Sequence, residues 1–194
     1  MIKILVGVVL GVLLVPFAAA IYLWSGSFDM SATRPPGTLE ALVGDTLVAR
    51  SLERRAPATA RNPLAPGPET LRIALAHFRE DCLFCHGAPG VAPGDAAKGL
   101  NPRPPELARP ETQRAADGEL FEVIAHGVRM SGMPGWLPTH SERDIWALVV
   151  FVRHLPTLGA EERAALTTGE AERGRAPGAE ARPEEPARKH HHSP

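Results

Sequence analysis

Two cysteines are the whole thiol complement of this 194-residue chain, and a histidine follows the second of them: Cys82-Leu83-Phe84-Cys85-His86. On a helical turn Cys82 stands three residues from Cys85 and four from His86, so all three side chains project to one side. At that spacing two thiols can add to the two vinyl groups of a haem while the imidazole ligates its iron, the chemistry of c-type haem attachment. A structural zinc site needs four ligands, and neither a second cysteine pair nor clustered histidines supply them. A thioredoxin-like redox pair sits beside a strand-helix-strand pattern, and the sequence holds no convincing strand. A plain disulfide suits an exported protein. None of these three readings gives the histidine or a downstream methionine a role.

That methionine lies in Ser131-Gly132-Met133-Pro134-Gly135-Trp136. Haem iron with a histidine and methionine axial pair is the electron-transfer arrangement, because the thioether favours ferrous iron and raises the potential. A lone methionine usually fills a core, but Met133 is flanked by Gly and Pro instead of standing in a helical apolar stripe. His86 and Met133 are therefore the expected metal ligands. Met130 is the second candidate for the sixth position. His126 and His140 could give bis-histidine ligation, but are read as surface or propionate-side residues. With both axial positions filled, the iron has no open site, so outer-sphere transfer of single electrons is expected. Leu83, Phe84, Leu107, Val128, Met130 and Trp136 are the expected apolar wall of the pocket.

The elements that must position these residues are helical. Leu71, Leu75, Phe78 and Cys82 follow an i, i+4, i+7, i+11 series, which predicts a helix running into the cysteine motif. A second helix is predicted over Gly118 to Val128, with Leu120, Phe121 and Ile124 inward and Asp117 as its cap. The third begins at Ser141, where Ser141 and Asp144 form a capping-box pattern, and stops before Pro156. Ile145 to Leu155 leaves that helix almost no polar face, so it needs burial on most sides. Between the first two lies Gly87 to Ala116, rich in Gly and Pro. A loop that long inside a domain is functional or wraps something. Aromatic residues are only 5% of the chain, against 20 Pro and 18 Gly, so haem is expected to supply apolar bulk that the side chains lack.

Residues 1–24 are predicted to be a transmembrane anchor. Ile4 to Trp24 carries no charge and, at about 1.5 Å per residue, covers the roughly 30 Å hydrocarbon core. Lys3 precedes it and no basic residue follows until Arg34, which places the N-terminus in the cytoplasm. Ala18-Ala19-Ala20 offers the competing reading of a cleaved signal peptide; Ile21 to Trp24 continue the apolar run past that site. Both readings export the remainder. Residues 25–68 read as a periplasmic linker holding one short amphipathic helix, Thr38 to Ala56, expected to pack on the domain through Leu39, Leu42, Val43 and Leu47. The compact domain is 69–156. From 157 to 194 the chain lacks periodicity and reads as a disordered tail, and His190 to His192 are assigned no function. The net charge of -1 excludes an electrostatic footprint for nucleic acid.

Over roughly Glu69 to Leu155 the chain resembles the single-haem class I cytochromes c of the membrane-anchored bacterial type. The resemblance implies an all-α cytochrome c fold of three to four helices around one covalent haem c, preceded by a transmembrane helix. It implies that Ala74 and Phe78 pack on the last helix, with Trp146 and Phe151 as partners. The family usually has glycine where Ala74 stands, so the helix crossing is expected to be slightly wider. It also implies that Pro105-Glu106-Leu107 lies on the histidine side, the proline carbonyl accepting a hydrogen bond from the His86 imidazole. The order of anchor, linker and domain resembles membrane-bound cytochromes serving dehydrogenases and terminal oxidases. That implies an electron carrier, not an enzyme, on the periplasmic side of a bacterial inner membrane, with redox partner proteins of a respiratory or dehydrogenase chain. The alternatives are a subunit active only inside such a complex, or a peroxidase-type haem enzyme with Met133 off the iron.

Overall fold

Helices are the only extended regular structure in this computed structural model, which describes residues 1–56 and 60–173. They are α1 (Ile2–Trp24), α2 (Thr38–Arg55), α3 (Pro68–His77), α4 (Leu83–His86), α5 (Pro110–Gln113), α6 (Asp117–His126), α7 (Glu142–His154) and α8 (Ala160–Arg173). A π-helical turn, Phe78–Cys82, joins α3 to α4 without a break, and short 3-10 turns lie at Asp95–Gly99 and Leu155–Thr157. No strand forms among the described residues beyond a lone bridge between Ala88 and Val91.

The core forms where α3 meets α7. Ala74 and Phe78 are fully buried against Ala147, Leu148, Phe151 and Leu155, and the Phe78 and Phe151 rings stand 5.0 Å apart. Trp146 is not part of this contact. It stacks on Phe121 of α6 at 4.4 Å, beside a second cluster of Leu120, Val149 and Val152. The helical period explains the correction: five residues at about 100° each put Trp146 and Phe151 roughly 140° apart around the helix. Each ring therefore faces a different neighbour.

Helix α7 starts as its sequence predicts. The Ser141 hydroxyl accepts from the Asp144 N–H at 3.2 Å, and the Asp144 carboxylate accepts from the Ser141 N–H at 3.1 Å. Helix α6 differs from expectation. Its end is closed by Glu119, which accepts from the Ala116 N–H at 2.7 Å. Asp117 instead takes the Arg153 guanidinium at 2.9 Å. Arg153 also donates to the Gln113 and Ala115 carbonyls, tying α7 to the turn that opens α6.

Three peripheral segments depart from the expected picture. The apolar stripe of α2, Leu39, Leu42, Val43 and Leu47, is exposed. Only the end of that helix approaches the domain, where Ala56 is buried and Arg55 lies 3.9 Å from Glu122. The segment from 60 to 67 lies on the domain: the Asn62 amide donates to the Trp146 carbonyl at 2.9 Å, and Leu64 packs on the core. The expected disorder from 157 is corrected over 157–173. Leu158, just ahead of α8, and Leu166 within it are both buried in the α3–α7 core. Glu162 accepts from the Gly159 N–H at 2.8 Å and pairs with His154 at 2.7 Å. Two leucines suffice because they extend a core that already exists. Residues 174–194, with His190 to His192, lie outside the described residues.

At the other end, α1 contains 23 residues, all exposed, with a mean hydropathy of 2.8 over its most apolar window. A helix that is apolar all round and has no protein partner is long and apolar enough to cross a membrane.

Candidate haem-attachment site

The cysteines are presented by the continuous helical run from α3 through α4. In the π turn the Leu83 N–H reaches back to the Phe78 carbonyl, five residues away. That widened turn, a feature common at functional sites, lets Phe78 and Leu83 both enter the core. Leu83 is 1% exposed and belongs to the α3–α7 core, so the expected pocket wall loses this residue. Cys82, Cys85 and His86 are half-buried.

Both thiols are free. Burial, with help from the Asp81 and Cys85 charges, pushes the Cys82 thiol up to about 12. A disulfide oxidoreductase needs the opposite, a thiolate available near neutral pH, so the environment argues against a redox-exchange pair. His86 Nδ1 lies 2.8 Å from the Pro105 carbonyl oxygen, a geometry in which Nδ1–H donates and the Nε2 lone pair is left for a ligand. Burial holds the His86 pKa below its ordinary value, against the smaller opposing effect of the Pro105 hydrogen bond. The imidazole is therefore neutral, which is the ligating form.

Leu107, two residues beyond Pro105, is held in place from α7. The Gln113 amide donates to the Leu107 carbonyl at 2.8 Å and to the Val152 carbonyl at 2.9 Å. Leu107 is half-buried and packs on both clusters. The sequence carries no signal that marks Gln113 for this task.

The methionine loop hangs from the end of α6. Val128 N–H donates to the Met133 carbonyl at 3.1 Å, and Met133 N–H donates to the Ser131 hydroxyl at 3.1 Å. Trp136 N–H and Leu137 N–H, each at 3.0 Å, reach the Ile124 and Ala125 carbonyls. Gly127 has φ +65, and a Cβ there would lie 2.5 Å from Pro134 C and 2.6 Å from the Met133 carbonyl oxygen. Glycine is thus required for the loop to close on the helix.

Met133 is half-buried, whereas Met130 is 79% exposed with φ +61. Met130 is therefore not a wall of a buried pocket. Phe84 is 52% exposed, and Val128 and Trp136 are half-buried. His126 is exposed beside Glu122 at 3.6 Å. His140 turns its Nε2 to Asp81 at 3.1 Å and its Nδ1 to Thr139 at 2.9 Å.

The donor set fits a c-type haem: two thiols at the required spacing, a neutral imidazole oriented from behind by a carbonyl, and a half-buried thioether in an anchored loop. Residues 69–152 match the family model described as cytochrome C oxidase, cbb3-type, subunit III. That span contains the cysteine motif, Pro105, the Met133 loop and most of α7, and leaves out α1, α2 and α8. No curated protein matches the chain.

Proposed function

We propose, for a chain whose residues 69–152 are a cytochrome c domain of the single-haem family, a membrane-tethered carrier that passes single electrons through one covalent haem c outside a bacterial inner membrane. Haem-based electron transfer is the work of the domain; the ligand set, the covalent attachment and the side of the membrane are the finer reading. The observation that carries it is the His86 Nδ1 held at 2.8 Å by the Pro105 carbonyl, in the residue that follows the second of two free thiols.

When bound, the haem supplies a one-electron iron couple. Cys82 and Cys85 would hold it covalently beside α4. His86 would offer it Nε2, while the Pro105 carbonyl keeps the ring from turning. Met133, in a loop locked at Gly127, would offer its thioether. With both groups on the iron no site would be left for substrate or oxygen, the arrangement of a carrier. Helix α1 is the anchor, and Lys3 ahead of it, with no further basic residue before Arg34, favours a cytoplasmic N-terminus and a periplasmic domain. Residues 69–156 hold 11 acidic and 9 basic side chains, a balance that suits weak, transient docking of redox partner proteins in a respiratory or dehydrogenase chain.

Three variants test the assignment. Cys82→Ala with Cys85→Ala is expected to abolish haem staining on a denaturing gel. Met133→Ala is expected to keep the stain, lower the midpoint potential and admit carbon monoxide or cyanide, while Met130→Ala changes none of these. The reverse pattern for the two methionines would refute the ligand set.

A second reading, a subunit that works only inside a larger complex, is favoured by the family description, which names an oxidase subunit. Detergent extraction at native size separates the two: co-migration with an oxidase supports the complex, and a lone species at monomer size supports the free tether.

A further inference from the structure

Asp81, the residue before the first cysteine, has a histidine on either side of it in space. His140 Nε2 lies 3.1 Å from Asp81 Oδ2, and His77 Nδ1 lies 3.9 Å from the same oxygen. The two imidazoles meet edge to face, 4.8 Å between ring centroids. Ligand atoms of all three residues fall within 4.8 Å of one another. The far nitrogen of each ring faces a further polar group: Thr139 Oγ1 is 2.9 Å from His140 Nδ1, and Asp144 Oδ1 is 3.7 Å from His77 Nε2. Two segments meet here: the continuous run of α3 and the π turn, which carries His77 and Asp81 four residues apart, and the chain just ahead of the α7 cap, which carries His140.

We propose that His77, Asp81 and His140 form a binding site for a divalent transition-metal ion of the zinc class, distinct from the haem iron. Two imidazole nitrogens and one carboxylate oxygen are the donors such ions take, with the fourth position open to water. A tetrahedral ion with bonds of about 2.1 Å holds its ligand atoms roughly 3.4 Å apart, and the observed 3.1 and 3.9 Å bracket that spacing. His77 stands too far from both carboxylates for a hydrogen bond to either. Helical i, i+4 spacing brings His77 beside Asp81, and the 3.9 Å between their ligand atoms leaves room for an ion between them. Thr139, 2.9 Å from His140 Nδ1, is placed as the outer partner that orients a ligating histidine. The side chains of His77, Asp81 and His140 are 30%, 21% and 10% exposed, open enough for an ion to enter. Hard cations such as calcium and magnesium are disfavoured, because they take oxygen ligands. A bound ion would fasten the segment leaving the Met133 loop to the turn ahead of Cys82.

The test is a calorimetric titration of zinc chloride into the full-length holo-protein in detergent. His190→Ala, His191→Ala and His192→Ala are included as background, because a histidine run binds zinc by itself. One equivalent is expected to bind, and zinc-edge X-ray absorption is expected to show two imidazoles. His77→Ala and Asp81→Asn are each expected to weaken binding more than about tenfold, with an unchanged haem spectrum showing that the domain is intact. Thr139→Ala, which removes only the hydroxyl behind His140, is expected to weaken it by a smaller factor and keeps the test valid if His77→Ala fails to assemble. Absence of stoichiometric uptake, or uptake indifferent to Asp81→Asn and Thr139→Ala, overturns the proposal and leaves the haem assignment standing.

Discussion

At the residue scale, single contacts decide which atom a side chain offers and how it is held. His86 uses one nitrogen to be held and keeps the other for a ligand. Asp144 shows the same logic in a structural role. The Ser141 hydroxyl, helped by the Ser141 backbone N–H and the nearby histidines, holds its carboxyl below the usual aspartate range, with burial opposing. A carboxyl lowered on folding stabilises the native state above its unfolded pKa, and that contribution is lost as pH falls through the lowered value. Ser141→Ala is accordingly expected to cost about 0.5–2 kcal/mol near neutral pH, and the gap is expected to shrink below a pH of about 4. Denaturant melts of the holo-protein at neutral and acid pH check this. A gap that widens on acidification would contradict it.

At the element scale, two backbone devices place the chemistry. The π turn adds one residue to the helical circuit, so that Phe78 and Leu83 share the buried side while Cys82, Cys85 and His86 remain half-exposed. Gly127 lets the Met133 loop lie directly on the end of α6. Gly127→Ala puts a Cβ into a left-handed conformation and against the Pro134 and Met133 backbone, at a cost of about 1–3 kcal/mol. The expected consequence is a lower thermal midpoint and faster carbon monoxide binding with haem still attached. Carbon monoxide binding at the parent rate would show that the loop does not depend on this approach.

For the whole molecule, the core is larger than the segment 69–156. Residues 60–67 cover one side of it, and α8 closes another through Leu158 and Leu166. Leu166→Ala, a truncation at a fully buried site, is expected to cost about 2–5 kcal/mol, measurable by guanidinium unfolding. A change within experimental error would mean that α8 is not docked in solution. Helix α1 is exposed along its whole length, is apolar enough to cross a membrane, and adds nothing to that core.

The haem motif, the Met133 loop, the capped α7 and the apolar α1 were legible because each is local: its physics is complete within a few consecutive residues, as spacing, capping or hydropathy. Pro105 was legible only through family resemblance, since nothing within its own segment points to His86, 19 residues away. Tertiary structure alone decided that Trp146 faces Phe121, that Asp117 pairs with Arg153 instead of capping, that the α2 stripe stays uncovered and that α8 docks. It alone brought His140 to Asp81, 59 residues away in the chain. Helical periodicity states which residues share a face. Which neighbour covers that face depends on contacts between distant segments, and a periodic pattern carries no information about those.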